Sequence, residues 1–198
     1  MSNQFVERAK AQMGALEELI KGLPGIRDYV DKNLRRDADH RLRQLIAGQL
    51  EEQKVRLYDL QKKLMSSGGL KWTDDVDGVV QKLQTLIDRV RSARQGYAGL
   101  FDAVRIREEQ LDALHRFDVA LAERVAGLKE TFDGLTQAVS ENKEVGAVIE
   151  RASRAVADLS ALFSQRDEAI SDPELLKDAP AMPDLAEDIL GSQPKDES

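Results

Sequence analysis

Hydrophobic positions along the chain fall into four runs of helical period separated by turn signals. In residues 3–21, Phe5, Ala9, Met13, Leu16 and Ile20 recur at three- and four-residue spacing, and Leu23 continues the stripe. "KGLPGI" stops this run: Gly22 suits a left-handed helix cap and Pro24 stands two residues beyond it. Asp28 can cap a second helix, expected over 28–65, by accepting from free N–H groups of its first turn. There Ile46, Leu50, Leu57, Leu60 and Leu64 take the a and d positions, with Gln53 the polar exception. Leu34, Ala38, Leu42 and Leu45 form an upstream stripe in shifted phase, the mark of a stutter. "SSGGLKWT" is the clearest turn signal, with two glycines ending one helix, Thr73 placed to cap the next, and Asp74 and Asp75 at its positive dipole end.

The third run is the longest. Leu83, Val90, Tyr97, Val104, Leu111, Val125, Phe132 and Val139 hold the a positions, and Val79, Leu86, Ala93, Leu100, Leu114, Leu121, Leu128 and Leu135 the d positions. Only Asp118 at a and Arg107 at d interrupt it. The phase survives Gly96 and Gly99, so one helix over 74–139 is expected, about 100 Å long, with these glycines marking a close helix approach. Near "SENKE" (140–144) the phase changes, which reads as a turn or as a stutter in a continuous helix. Ile149, Ala152, Val156, Leu159, Phe163 and Ile170 then define a last helix over 145–171.

Short connections imply antiparallel neighbours. A reversal near residue 69 opposes positions summing to about 139, and one near 142 opposes positions summing to about 284. The second and last helices then cover the two halves of the long one. Its first half carries a second apolar row, Val80, Ile87 and Phe101, suited to an additional neighbour, for which the N-terminal helix is the candidate. The expected fold is all-α: an elongated antiparallel bundle or coiled coil built on one long central helix, thicker at one end. Residues 1–171 form this body, and 172–198 an acidic tail without fixed structure.

Charge sharpens that division. Net charge is −7, but residues 167–198 hold ten acidic residues and two lysines, so the preceding 166 carry only +1. A nearly neutral body with 5% aromatic residues disfavours a nucleic-acid groove. The basic cluster "KNLRRDADHRLR" is interleaved with acids and reads as a solvated helix face or a site for an acidic partner. With no cysteine, disulfides and thiolate chemistry are excluded. The opening "MSNQFVERAKAQMGALEELI" has charges throughout and no secretory apolar segment, so a cytoplasmic location is expected.

Candidate chemistry concentrates in "RIREEQLDALHRFD" (105–118). "DADH" (37–40) and "DALH" (112–115) resemble the Glu-x-x-His pairs of di-iron bundles. Under the expected register, however, His40 and His115 lie about 24 Å apart along the axis, so both are expected at the surface and no metal is expected. Acid–base work by His115 and Asp118 would need burial. An acid at an interrupted seam is expected to be solvated, or paired with Arg116 or a partner's arginine. "SSGGLK" lacks phosphate-loop spacing, and no Ser-His-Asp signature is present. No catalytic residue, cofactor or small-molecule substrate is therefore expected.

Arg107 and Asp118 instead flank the place where, near Leu114, both covering helices run out, a candidate docking seam. The tail supplies another: in "MPDLAEDILGS", Asp184 can cap a short helix near 184–190 bearing Leu185, Ile189 and Leu190. It serves either as a partner-binding peptide or as a solubilising extension. The function expected is a non-enzymatic scaffold, adaptor or assembly protein acting through protein–protein contact or self-association. The alternative is a peripheral membrane protein. A long helical hairpin behind an amphipathic helix is loosely similar, in outline, to the phage-shock-protein A and ESCRT-III group. On the first helix, Glu7, Glu17 and Glu18 offset Arg8, Lys10 and Lys21, which disfavours a membrane surface.

Overall fold

The computed structural model describes residues 32–93, 108–172, 174–175 and 179–181. The expected helix over 3–21, its stop at Gly22 and Pro24, and the Asp28 cap lie outside the described residues. Within them the chain is all α: helices α1 (Lys32–Ser66), α2 (Thr73–Ser92), α3 (Glu108–Glu141) and α4 (Val145–Ser171), with a 3₁₀ turn at Leu70–Trp72. Every leucine, isoleucine, valine and phenylalanine assigned above to a seam position, where its side chain is described, is buried in a single core, save the half-buried Leu45. Gln53 is buried too, and accepts from Arg56 at 2.8 Å, which satisfies its carbonyl inside the bundle.

Both tight turns follow from the residues in them. After Ser66 the chain reverses through Gly68 at φ 81°, and the Gly69 N–H donates back to the Leu64 carbonyl at 2.9 Å. That six-to-one bond closes a Schellman motif, and its left-handed position favours glycine. The second turn is built alike without glycine. Asn142 takes the left-handed position at φ 49°, with Lys143 N–H bonded to Ala138 at 3.0 Å and Asn142 N–H to Val139 at 3.3 Å. "SENKE" is thus a turn, with asparagine doing what glycine does in the first. Thr73 is not the cap expected of it: α2 begins at Thr73 with Trp72 before it and no side-chain cap bond. Asp74 and Asp75 do lie in its first turn.

Bonds between helices give their directions. Lys54–Gln84 and Gln61–Asp77 pair α1 with α2 antiparallel, at 2.7 and 3.3 Å, close to the expected register. Asp118–Arg166 pairs α3 with α4 at positions summing to 284. The other two interfaces run parallel. Lys82 bonds Ser153 at 2.7 Å, and Arg89 bonds Ser160 and Ser164 at 2.6 Å each, joining α2 to α4. Arg56–Asp133 and Lys63–Ser140 join α1 to α3, both with a separation of 77 residues. The described residues form two helical hairpins laid side by side, α1 on α3 and α2 on α4, with both turns at one end.

This overturns the single central helix over 74–139. Ala93 leaves the helix at φ −54°, ψ 129°, and the Arg56–Asp133 bond requires the chain to reverse between 93 and 108. Heptad phase misleads here because the a positions Val90 and Leu111 stand three whole heptads apart, so the count stays in register although α2 and α3 run in opposite directions. Among the described residues the longest helix is α1, 35 residues or about 50 Å. Val80 and Ile87 are buried on α2, which packs against α4; the N-terminal helix expected beside them lies outside the described residues. The long hairpin behind the phage-shock-protein A and ESCRT-III likeness is not the one observed. At the other terminus, Ala179 packs against the core, so the start of the segment expected to lack structure lies on the body.

Candidate functional site

Beside the end of α2, the interior changes from apolar to charged. Asp118, at an a position of α3, is fully buried, and Arg166 on α4 donates its Nε–H to the Asp118 carboxylate at 2.5 Å. From α1, buried Arg43 donates to the Ala93 carbonyl at the C-terminus of α2, where a cation meets the negative end of the helix dipole. His115, one turn before Asp118, is buried, and Arg116 half-buried. Three helices thus send charged side chains to the level at which the fourth ends.

An ion pair in this setting loses much hydration, and its attraction offsets that loss only with good geometry. What the layer does plainly is set register. Slipping α4 by one heptad along α3 would set Asp118 against Leu159 instead of Arg166, burying a carboxylate on an apolar side chain.

Several expectations change at this layer. Asp118 is not solvated, and Arg166 of the same chain pairs with it, an arginine the expectation did not name. His115 is buried, while His40 is exposed as expected. The 24 Å separation of the two histidines falls with the long helix on which it rested. With α1 parallel to α3 at an offset of 77, His40 lies level with Phe117, about 3 Å along the axis from His115. They still do not share a face, one being exposed and one buried. Among the described residues no group of three or more His, Asp or Glu side chains is arranged to hold a metal ion. Arg107, Leu185, Ile189 and Leu190 lie outside the described residues.

Arg89 forms a second polar feature on the α2–α4 face. Its guanidinium forks onto Ser160 and Ser164 and sits 5.8 Å from the Phe163 ring centroid. Beside it an open groove is lined by Ser164, Asp167, Glu168, Asp172 and Leu175.

The third feature lies toward the turn end, on the outer side of α1. Val55, Tyr58 and Met65 are 56%, 42% and 61% exposed, and Leu70 in the following 3₁₀ turn is 63% exposed. These are large apolar groups left in water beside a core that buries nearly every other one described, the pattern expected of a contact surface. Sequence reasoning passed over them because they lie off the leucine seam. It also passed over Arg166, although the expected α3–α4 register already set that residue opposite Asp118. No described helix is long and apolar enough to cross a membrane. Compared with known proteins, the chain matches no family model, no curated protein sequence and no solved structure.

Proposed function

We propose that this chain is a non-enzymatic helical assembly protein, a scaffold or adaptor that works by holding protein partners. The observation that carries the proposal is the exposed row Val55, Tyr58, Met65 with Leu70 beyond it. Tyrosine and methionine are enriched in protein interfaces, and such a row is costly to leave in water. The interior charges support the same reading, because they are spent on helix-to-helix bonds: Asp118 with Arg166, and Arg43 with the end of α2.

The test compares proteins recovered with the full chain against those recovered with a Val55→Ser, Tyr58→Ser, Met65→Ser variant, quantified side by side. A defined set of proteins lost from the variant is expected. Recovery of the same set by both forms would remove the row from the function. Sedimentation with anionic vesicles, abolished by deleting residues 1–22, would put a membrane surface in place of protein partners.

A further inference from the structure

The exposed row on α1 reads the same in both directions. Val55, Tyr58, Lys62 and Met65 follow one another at intervals of three, four and three residues, so they lie on one strip of the helix. All four are exposed. Reversing the helix about residue 60 exchanges Val55 with Met65 and Tyr58 with Lys62. We infer that this strip is a contact between two copies of the chain, α1 against α1, antiparallel about a two-fold axis near residue 60.

Chemistry and spacing both favour a second copy as the occupant. In that arrangement Val55 meets Met65 at both ends of the contact, apolar against apolar. Each Lys62 comes over the ring of the other copy's Tyr58, where an ammonium is attracted to the aromatic face. Asp59, which bonds Lys62 of its own chain at 3.2 Å, stands beside the axis. There the two Asp59–Lys62 pairs can exchange partners, giving a charge pattern complementary to itself. A two-fold contact requires such self-matching, with residue i meeting j and j meeting i.

A single pair of helices in contact over about three turns sits at the small end of specific interfaces, so the dimer is concentration-dependent rather than permanent. This inference rests on the row being a protein-contact surface and adds the identity of one partner.

The test is sedimentation equilibrium of the full chain over about 1 µM to 1 mM, the range in which a small interface associates. The mass is expected to rise from 22.1 kDa toward twice that value. Lys62→Glu, placing two acids beside each other's Asp59, is expected to weaken association at least tenfold, and Asp59→Lys with Lys62→Glu to restore most of it. The chain has no cysteine, so single-cysteine variants report geometry cleanly. A mixture of Val55→Cys and Met65→Cys chains is expected to give the mixed disulfide in preference to either self-pair. A chain that stays at 22.1 kDa throughout overturns the inference, as does a dimer whose preferred cross-link is Val55→Cys to itself. Should the chain stay monomeric while the triple serine variant still loses its protein partners, only the second copy falls and the broader function stands.

Discussion

At the turn end, the indole of Trp72 lies against Gly146 and both hairpins reverse within a few residues, whereas at the other end Asp118, Arg166 and Arg43 carry charge into the interior. A Cβ on Gly146 would lie 2.7 Å from the Trp72 ring, so the only tryptophan of the chain locks the two turns together by shape. The charged end is held by pairing. Shape and pairing fail differently. An apolar interlock loses energy in proportion to what is cut away or forced in. A buried pair loses most when one member goes and far less when both do. The α2–α4 and α1–α3 faces between them are stitched by Lys82, Arg89 and Lys63 onto serines, which fix the parallel alignment of the hairpins.

The sharpest way to break the contrast is at the charged end. Asp118→Ala removes the carboxylate from a guanidinium with 3% side-chain exposure, and is expected to destabilise by about 3–5 kcal/mol in urea unfolding. Asp118→Leu with Arg166→Met is expected to cost far less than the single change, because no charge stays behind. A single substitution costing under about 1 kcal/mol would show that the pair is not the source of cohesion there.

The turn end should answer with smaller losses of another form. Trp72→Ala takes a half-buried ring out of the gap between hairpins, at about 2–3 kcal/mol, less than for a fully buried aromatic. Gly146→Ala forces the ring aside, at about 1–3 kcal/mol. The two changes should not add. In the Trp72→Ala background the new methyl meets no ring, so Gly146→Ala becomes close to harmless. Additive losses in a double-mutant cycle would disprove the interlock.

Much of each hairpin was legible before any coordinates. Leucine spacing and turn position set the α1–α2 register seen in Lys54–Gln84, and the same reasoning set the sum met by Asp118 and Arg166. How the hairpins lie on each other was not legible, because heptad phase records which face is apolar but not whether the chain between two faces is helical. The expectation of one helix over 74–139 therefore misplaced what depended on absolute position: the separation of His40 from His115 and the solvent assumed around Asp118. The exposed row failed to register for a different reason. Val55, Tyr58 and Met65 are ordinary surface residues one at a time, and only the packed bundle shows that nothing described covers them together.

The two turns allow a finer comparison, since they share the six-to-one hydrogen bond with different residues in the left-handed position. Gly68→Ala, at φ 81°, is expected to cost about 1 kcal/mol. Asn142→Gly, at φ 49°, should be nearly neutral, because asparagine tolerates this conformation. Glu144 at φ 53° is the residue least suited to its place, and Glu144→Gly is expected to stabilise by about 1 kcal/mol, read as a rise in Tm. If Gly68→Ala and Glu144→Gly shift Tm in the same direction, backbone strain is not what separates the turns.

Between the ends, Glu51 tests whether a charge network in water behaves like the buried one. Its carboxylate meets Lys54 at 2.6 Å and Arg91 of α2 at 2.8 Å. The Lys54 hydrogen bond is the largest influence holding its pKa below the ordinary carboxylate range; burial opposes it, and the charges of Lys54 and Arg91 add to the lowering. A carboxyl whose pKa is lower in the folded state binds protons more weakly there than in the unfolded chain. Its contribution is therefore complete above the unfolded pKa and disappears as pH falls through the folded value. Glu51→Gln removes that contribution at every pH, so the stability gap between wild type and variant should be widest at neutral pH and close in acid. The gap at neutral pH should stay within about 1 kcal/mol, as for other exposed pairs, and shrink with added salt. A gap that widened on acidification would reverse the sign of the linkage, and one near the cost of Asp118→Ala would mean that burial is not what distinguishes the charged end.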